Sequence, residues 1–217
     1  MRIALALTLL MTLTVSTAFA PAKKKSFQGT VTYEITYTDV PEEMAMFLSM
    51  MPTEMTQSFK GKKTRITQAM MGMEQVIIMD LEAETMFMLM DMMDKRVAVD
   101  MSDDMDSNTE EGQVVTFDYV DGEKEILGYK CKKAIMNNVD GTETEVWYTK
   151  KLKPVQSEQF EGLDGFPMQY ITSVEGMNMH MTAKSVEKKK IDDSVFEIPG
   201  NYERMTMEEF QSMSMGG

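Results

Sequence analysis

Methionine is the residue type whose number and spacing offer the clearest chemistry in this sequence. The chain has 217 residues, of which 27 are methionine and one is histidine. Thioether sulfur is a soft ligand that selects Cu(I). Met177, Met179 and Met181 alternate along a predicted strand, so their sulfurs share one face of it, whereas His180 points to the opposite face. These four residues form a candidate Cu(I) site, and binding or buffering of Cu(I) is the alternative function.

A second group of methionines suits an apolar ligand better than a metal. Methionine side chains are flexible and polarizable, so a surface lined by them repacks around ligands of varied shape. The stretch Met86–Met93 is apolar at nearly every position, and as a strand it turns alternate methionines to one face. A helix predicted over Met44–Met51 carries an apolar stripe. The candidate ligand-binding residues are Met44, Phe47, Met51, Met86, Met88, Met90 and Met92. The structural alternative is that these methionines only fill gaps in the core.

Residues that could carry catalysis are scarce. One histidine argues against histidine-based triads and zinc clusters. No G-x-S-x-G, H-E-x-x-H or phosphate-binding loop occurs in the sequence. The only cysteine, Cys131, alternates with apolar neighbours and is predicted to be a buried small residue rather than a reactive thiol. The sequence therefore predicts a protein that is not an enzyme, with no catalytic residues and, apart from the Cu(I) alternative, no cofactor.

The N-terminus has the features of a secretory signal peptide. Arg2 precedes an apolar run from Ile3 to Val15, and small residues fitting an A-x-A cleavage pattern follow. Cleavage is predicted after Ala22, because proline directly after a cut is awkward for the peptidase. The apolar run is too short to span a bilayer, and no later segment is apolar enough to do so. We therefore expect an exported protein, periplasmic or secreted, that is not integral to a membrane.

The charge of the chain limits its partners. The formal net charge is −13, and nucleic-acid-binding proteins need a basic surface instead. The expected partner is an apolar small molecule or lipid, or another envelope protein, and not a nucleic acid.

The elements that must position these residues are mostly strands. Phe27–Thr38 alternates apolar and polar residues with period two, which predicts a long half-buried strand. Short strands separated by polar turns follow from Met55 to Met101 and again from Val114 to Val186, with Asp121-Gly122 as one of the turns. The piece Val195–Gly200 is predicted to be extended. Thr206 and Glu209 form a capping box for a short C-terminal helix.

Three features of the sequence carry a resemblance to a known family. They are Gly128–Lys132 followed by Glu145–Thr149, the strand-turn-strand of Val76–Leu89, and Phe196–Pro199 with Tyr202 and the short helix. Together they resemble exported bacterial proteins whose shared domain has no assigned function. That family is usually placed near the periplasmic lipoprotein carriers, which have the LolA-like fold. The resemblance implies an open antiparallel half-barrel with helices in its hollow and a lipid-like ligand, and it supplies no catalytic residues.

The predicted fold class is α+β. We expect a signal peptide over residues 1–22, one LolA-like domain over residues 23–213 and a flexible tail over residues 214–217. The domain is predicted to be a strongly curved antiparallel β-sheet, an open half-barrel, with a helix on its concave side and a short C-terminal helix. The predicted function is that of an envelope protein that binds an apolar ligand in a methionine-lined hollow.

Overall fold

One large mixed β-sheet of twelve strands dominates the protein. The computed structural model describes residues 26–70, 72–92, 95–103, 115–138, 141–153, 155, 157–174 and 176–215. The predicted signal peptide lies outside the described residues. In chain order the strands are β1 (Gln28–Thr38), β2 (Glu54–Lys60), β3 (Lys63–Met70), β4 (Met73–Asp80), β5 (Thr85–Met92), β6 (Lys95–Asp100), β7 (Thr116–Ile126), β8 (Tyr129–Asn137), β9 (Glu143–Thr149), β10 (Phe166–Val174), β11 (Met177–Glu187) and β12 (Glu203–Thr206).

The sheet is open, and its order follows two hairpin series that meet at β1. The order is β12-β6-β5-β4-β3-β2-β1-β11-β10-β9-β8-β7. All neighbouring strands are antiparallel except β12, which runs parallel to β6. The prediction of a purely antiparallel sheet is therefore wrong at this edge. The chain crosses the sheet between β11 and β12, and a crossover connection allows a parallel pair where a tight turn does not.

The main apolar core lies on the side of the sheet that carries Val31 and Tyr33 of β1. The loop between β9 and β10 covers it with Leu152, Phe160 and other apolar side chains. Phe160 packs edge to face on Tyr170, with ring centroids 4.9 Å apart. These contacts bury the centre of the second hairpin series.

A smaller core lies on the opposite side of the first hairpin series. Val76 on β4 and Leu89 on β5 are directly opposite each other and are buried with Ile191 and Phe196 from the crossover. Arg65 donates a hydrogen bond from Nη1 to the carbonyl oxygen of Val195 at 3.2 Å. The crossover thus covers one side of β3–β6 and leaves the other side to a different role.

The helices differ from the predictions in two places. The predicted helix over residues 44–51 is a 3₁₀ helix at Ala45–Met50, and none of its residues is buried. A 3₁₀ helix has three residues per turn and not 3.6, so the predicted stripe does not form one face of it, and Phe47 and Leu48 are exposed. Two further 3₁₀ helices lie at Glu158–Phe160 and Asp193–Phe196. The latter replaces the start of the predicted extended piece, since the Asp192 carboxylate accepts from the backbone N–H of Ser194 and caps a turn there.

The C-terminal helix α1 (Met207–Met215) confirms the predicted capping box. The Thr206 N–H donates to Oε2 of Glu209 at 2.8 Å, and the Glu209 N–H donates to Oγ1 of Thr206 at 3.2 Å. The helix includes the first two residues of the predicted tail, and the remaining two lie outside the described residues. With so little helix beside the sheet, the fold is mostly β rather than α+β. None of the helices among the described residues is long and apolar enough to cross a membrane.

Candidate functional site

One side of β2–β6, which we call the methionine face, is the candidate site. Strand register places its residues, because directly opposite residues of neighbouring strands share one side of a sheet. Met79 on β4 opposes Met86 on β5, and Ile77 opposes Met88. The apolar members of the methionine face that are at least partly exposed are Met55, Ile66, Met73, Ile77, Met79, Met86, Met88, Met90 and Met92.

Charge is almost absent from this face. Lys95, the first residue of β6, is the one charged residue of β2–β6 on this side. The other charged residues of these five strands lie on the opposite side: Glu54, Lys60, Lys63, Arg65, Glu74, Asp80, Asp91, Arg96 and Asp100. Charged residues make up 26% of the sequence, so a side of five strands with one charge is a marked segregation.

The methionine side chains of this face are partly exposed. Met79, Met86, Met88, Met90 and Met92 are neither buried nor fully exposed, and they belong to neither core cluster of the described residues. Val97 and Val99 of β6 lie on the same side and are fully buried, and α1 lies close to β6 at this edge. The face is therefore an apolar surface bounded by packed residues at one edge.

Side-chain amides cross the face between the methionines. Gln68 donates from Nε2 to Oε1 of Gln75 at 2.8 Å, and Nε2 of Gln75 in turn lies 2.9 Å from the sulfur of Met88. Gln57 and Met55 make a longer contact of the same kind, at 3.7 Å. These amides are neutral and partly satisfied, so the face offers a few hydrogen-bonding groups among sulfur and aliphatic surface.

The structure brings together part of the predicted ligand-binding set. Met86, Met88, Met90 and Met92 share the methionine face on β5, as alternation along the strand requires. The other predicted members are Met44, Phe47 and Met51, and they belong to the connection between β1 and β2. Strands β3 and β4 separate that connection from β5 in the sheet.

The neighbouring strands contribute residues to the methionine face that the sequence pattern did not predict. Met79, Ile77, Ile66 and the glutamines face the same side as Met88, and none of them was predicted as a site residue. The signal was present in the polar turn between β4 and β5. A hairpin that turns there places Met79 opposite Met86, and this register fixes which residues of both strands lie on the same side of the sheet.

The predicted Cu(I) ligands lie on two sides of β11. Met177 and Met181 are buried, and Met179 packs against the main core. His180 faces the other way, with its Nε2 2.9 Å from Oγ1 of Thr38. Cu(I) binding stays a prediction, which competition with a chromophoric Cu(I) chelator tests.

The remaining candidate nucleophile is enclosed. Cys131 is fully buried, which confirms the prediction for this residue, and burial raises the pKa of its thiol. Among the described residues, no three or more His, Cys, Asp or Glu side chains are grouped as metal ligands. The chemistry that the described residues do bring together is apolar contact on the methionine face.

Comparison with known proteins gives a family for the chain. A family model described as "N-glycanase peptide, N-terminal domain" matches residues 31–207. Membership of the exported family that the sequence resembles stays a prediction. A comparison with curated protein sequences gives no match.

Solved structures with a similar arrangement are distant in sequence. The structure of PNGF-II in space group P21 is 17% identical, with a TM-score of 0.48, over 85% of this chain and 33% of that chain. The lipoprotein LppX of Mycobacterium tuberculosis is 8% identical, with a TM-score of 0.44, over 76% of this chain and 89% of that chain. The chain thus spans about a third of the length of PNGF-II.

Proposed function

We propose that the methionine face binds an apolar ligand and that the protein catalyses no reaction. The chain belongs to the family of N-glycanase peptide N-terminal domains. One observation carries this proposal: the charged side chains of β2–β6, Lys95 apart, are kept off a side of the sheet that nevertheless remains partly exposed. A contiguous exposed apolar surface on a protein is typical of a binding site.

The dimensions of the face suit a long, flexible ligand. Neighbouring strands are about 4.8 Å apart, so the four spacings from β2 to β6 span roughly 19 Å. We also propose that the sheet curves strongly toward this side. Such curvature would place the thioethers around the ligand. Methionine side chains can then adjust to acyl chains of different shape. We therefore propose a lipid-like ligand. From the signal-peptide features of the N-terminal sequence, we also propose that the protein is exported and located in the envelope.

Two features support a binding role over a catalytic one. The Cys131 thiol is buried and its pKa is raised by burial, so the thiolate that would act as nucleophile is disfavoured. His180 lies on the side of the sheet opposite to Met181 and contacts Thr38. The family is described as an N-terminal domain, so we assign any glycanase chemistry of longer relatives to their other parts.

A titration with a dansyl-labelled fatty acid tests the proposal. The wild-type protein should give saturable binding, and the variant Met86→Gln/Met88→Gln should bind at least about tenfold more weakly, a loss of about 1.4 kcal/mol. Glutamine keeps the length of the side chain and removes its apolar character. The matched control, Met46→Gln/Met50→Gln, changes two exposed methionines of the 3₁₀ helix and should bind like the wild type. Absence of saturable binding, or an equal loss in both variants, would overturn the proposal.

A further inference from the structure

A basic cleft lies at the end of the sheet where β1 begins. Its volume is about 500 Å³. The residues that line it are Ser26, Phe27, Gln28, Gly61, Lys151, Leu152, Lys153 and Lys188. Three of these are lysines and none is acidic, in a chain whose net charge is −13. The cleft therefore reverses the overall electrostatic character of the protein.

The three cleft lysines have no carboxylate within ion-pairing distance among the described residues. Other lysines nearby are neutralised by ion pairs: Lys60 with Asp193, Lys150 with Asp164 and Lys189 with Glu187. Lys188 instead lies with its Nζ 5.9 Å from the centroid of the Tyr129 ring. The charge of the cleft is thus left available to a ligand, while the charge around it is compensated.

The protein holds the cleft in place through apolar anchors. Leu152 is buried in the main core between the exposed Lys151 and Lys153, so the backbone carrying these two lysines is fixed. The N–H of Lys151 also donates to Oγ1 of Thr149 at 3.3 Å. Phe27, which is 3% exposed, forms an apolar floor. A cleft with lysines at its rim and an apolar floor matches a ligand that is both anionic and apolar.

The floor of the cleft leads to the methionine face. The Phe27 ring packs edge to face on the Phe59 ring, at a centroid distance of 6.0 Å. Phe59 opposes Thr64 across the sheet, Thr64 opposes Met79, and Met79 opposes Met86. This row carries no charged residue, and it crosses from β2 to β5 over roughly 14 Å, three strand spacings. Phe59 and Thr64 are buried, so the exposed apolar part of the row begins at Met79.

We infer that the cleft binds the anionic head group, a carboxylate or a phosphate, of an amphiphile whose apolar tail lies along the methionine face. The inference rests on the proposed function for the tail, while the three lysines carry the head group. Exposed ammonium groups are screened by water and salt, so they hold a small free anion weakly. Burial of the tail supplies most of the affinity, and the lysines set the preference for an acidic head group and its direction.

The experiment compares a dansyl-labelled fatty acid with its methyl ester, which has the same tail and no charge. The wild-type protein should bind the acid about tenfold more tightly than the ester at low salt, and added salt should reduce this difference. The variant Lys151→Gln/Lys153→Gln/Lys188→Gln should bind the acid only as well as the ester, with ester affinity unchanged. The control variant Lys132→Gln/Lys184→Gln/Arg96→Gln loses the same charge elsewhere and should keep the preference for the acid.

Three outcomes overturn the inference in different ways. First, the wild type and both variants could bind the acid and the ester with equal affinity. This result rejects the head-group site but not the proposed function. Second, neither probe could bind the wild type. This result rejects both the proposed function and the inferred binding of an amphiphile. Dodecyl phosphate and inorganic phosphate form a further arm. If inorganic phosphate saturates the cleft at the same concentration as dodecyl phosphate, the site is one for free anions and the tail has no part in it.

Discussion

The rings of Phe27 and Phe59 pack edge to face with their centroids 6.0 Å apart, and this pair joins the lysine cleft to the methionine face. Both rings also contact Phe166, at 4.6 Å and 6.2 Å, so the residue before β1 shares one aromatic cluster with β2 and β10. The cluster lies at the junction of the two hairpin series, since β1 is the strand where they meet. Packing at this point therefore holds together the part of the fold that lies between the lysine cleft and the methionine face.

Truncation of Phe59 should destabilise the protein strongly. Phe59 is 4% exposed, and replacement of a buried phenylalanine by alanine costs about 3–5 kcal/mol because it removes apolar contact and leaves a cavity. The free energy of unfolding of Phe59→Ala, from urea denaturation, measures the loss. The same substitution at Phe47, which is 41% exposed on the 3₁₀ helix, should cost less than about 1 kcal/mol. Similar losses at the two positions would contradict the assigned packing.

Removal of one buried hydroxyl should test the link between β1 and β10. The Tyr33 hydroxyl donates to the carbonyl oxygen of Pro167 at 2.9 Å, and both groups are buried. Tyr33→Phe leaves that carbonyl unpaired, which costs about 1–3 kcal/mol. Tyr119→Phe is the control, because Tyr119 is half exposed and water can replace its hydroxyl as donor to the Gly162 carbonyl and as acceptor from the Asp164 N–H. Thermal and urea unfolding should show a clearly larger loss for Tyr33→Phe, and the reverse order would reject the role given to this bond.

Alternation along the chain was sufficient to predict most of the strands and their facing. Phe27–Thr38 and the methionine strand β5 were correct because each has a regular period of two. The turn predicted at Asp121-Gly122 was wrong. Strand β7 continues through these residues with a register shift between Val120 and Glu123. A glycine inside an alternating pattern fits a bulge as well as a turn, and only the partner strand decides between them.

Features that depend on distant segments could not be read from local pattern. Strand β12 was missed because it is four residues long and pairs with β6, about a hundred residues earlier. The apolar spacing of residues 44–51 predicted a packed helix, but packing requires an opposing surface that no local pattern supplies. The lysine cleft was missed for the same reason. Lys151 lies just after β9 and Lys188 just after β11, and the two come together only because these strands finish at the same end of the sheet.

The hydrogen bond between Tyr202 and Asp91 should make stability depend on acid pH. The Tyr202 hydroxyl donates to Oδ1 of Asp91 at 2.6 Å and, with Arg96, lowers the pKa of that carboxyl below its usual 3.8. A carboxyl with a lowered folded pKa binds fewer protons in the folded state than in the unfolded state. Its stabilisation is therefore complete above pH 3.8 and is lost as the pH falls through the folded pKa.

The measurement compares the wild type with Tyr202→Phe across this range. The difference in their free energies of unfolding should be constant between about pH 5 and 8 and should shrink below pH 3.8. Tyr37→Phe is the control, because the Tyr37 hydroxyl donates to the backbone carbonyl of Pro52, which does not titrate. A difference for Tyr202→Phe that is as independent of pH as that of the control would exclude the carboxylate as the partner.

Oxidation of methionine should follow exposure and should report on the ligand. Peroxide converts an accessible thioether to the sulfoxide, so Met46, at 74% exposed, should react before the partly exposed Met86 and Met88, and the buried Met168 last. A saturating fatty acid should slow oxidation of Met86 and Met88 several-fold, because its tail covers their sulfurs, and should leave the rate at Met46 unchanged. Peptide mass spectrometry of timed samples measures every site in one experiment, with Met46 as the internal control. Equal rates at Met86 with and without the fatty acid, under conditions where the acid is bound, would place the ligand elsewhere on the protein.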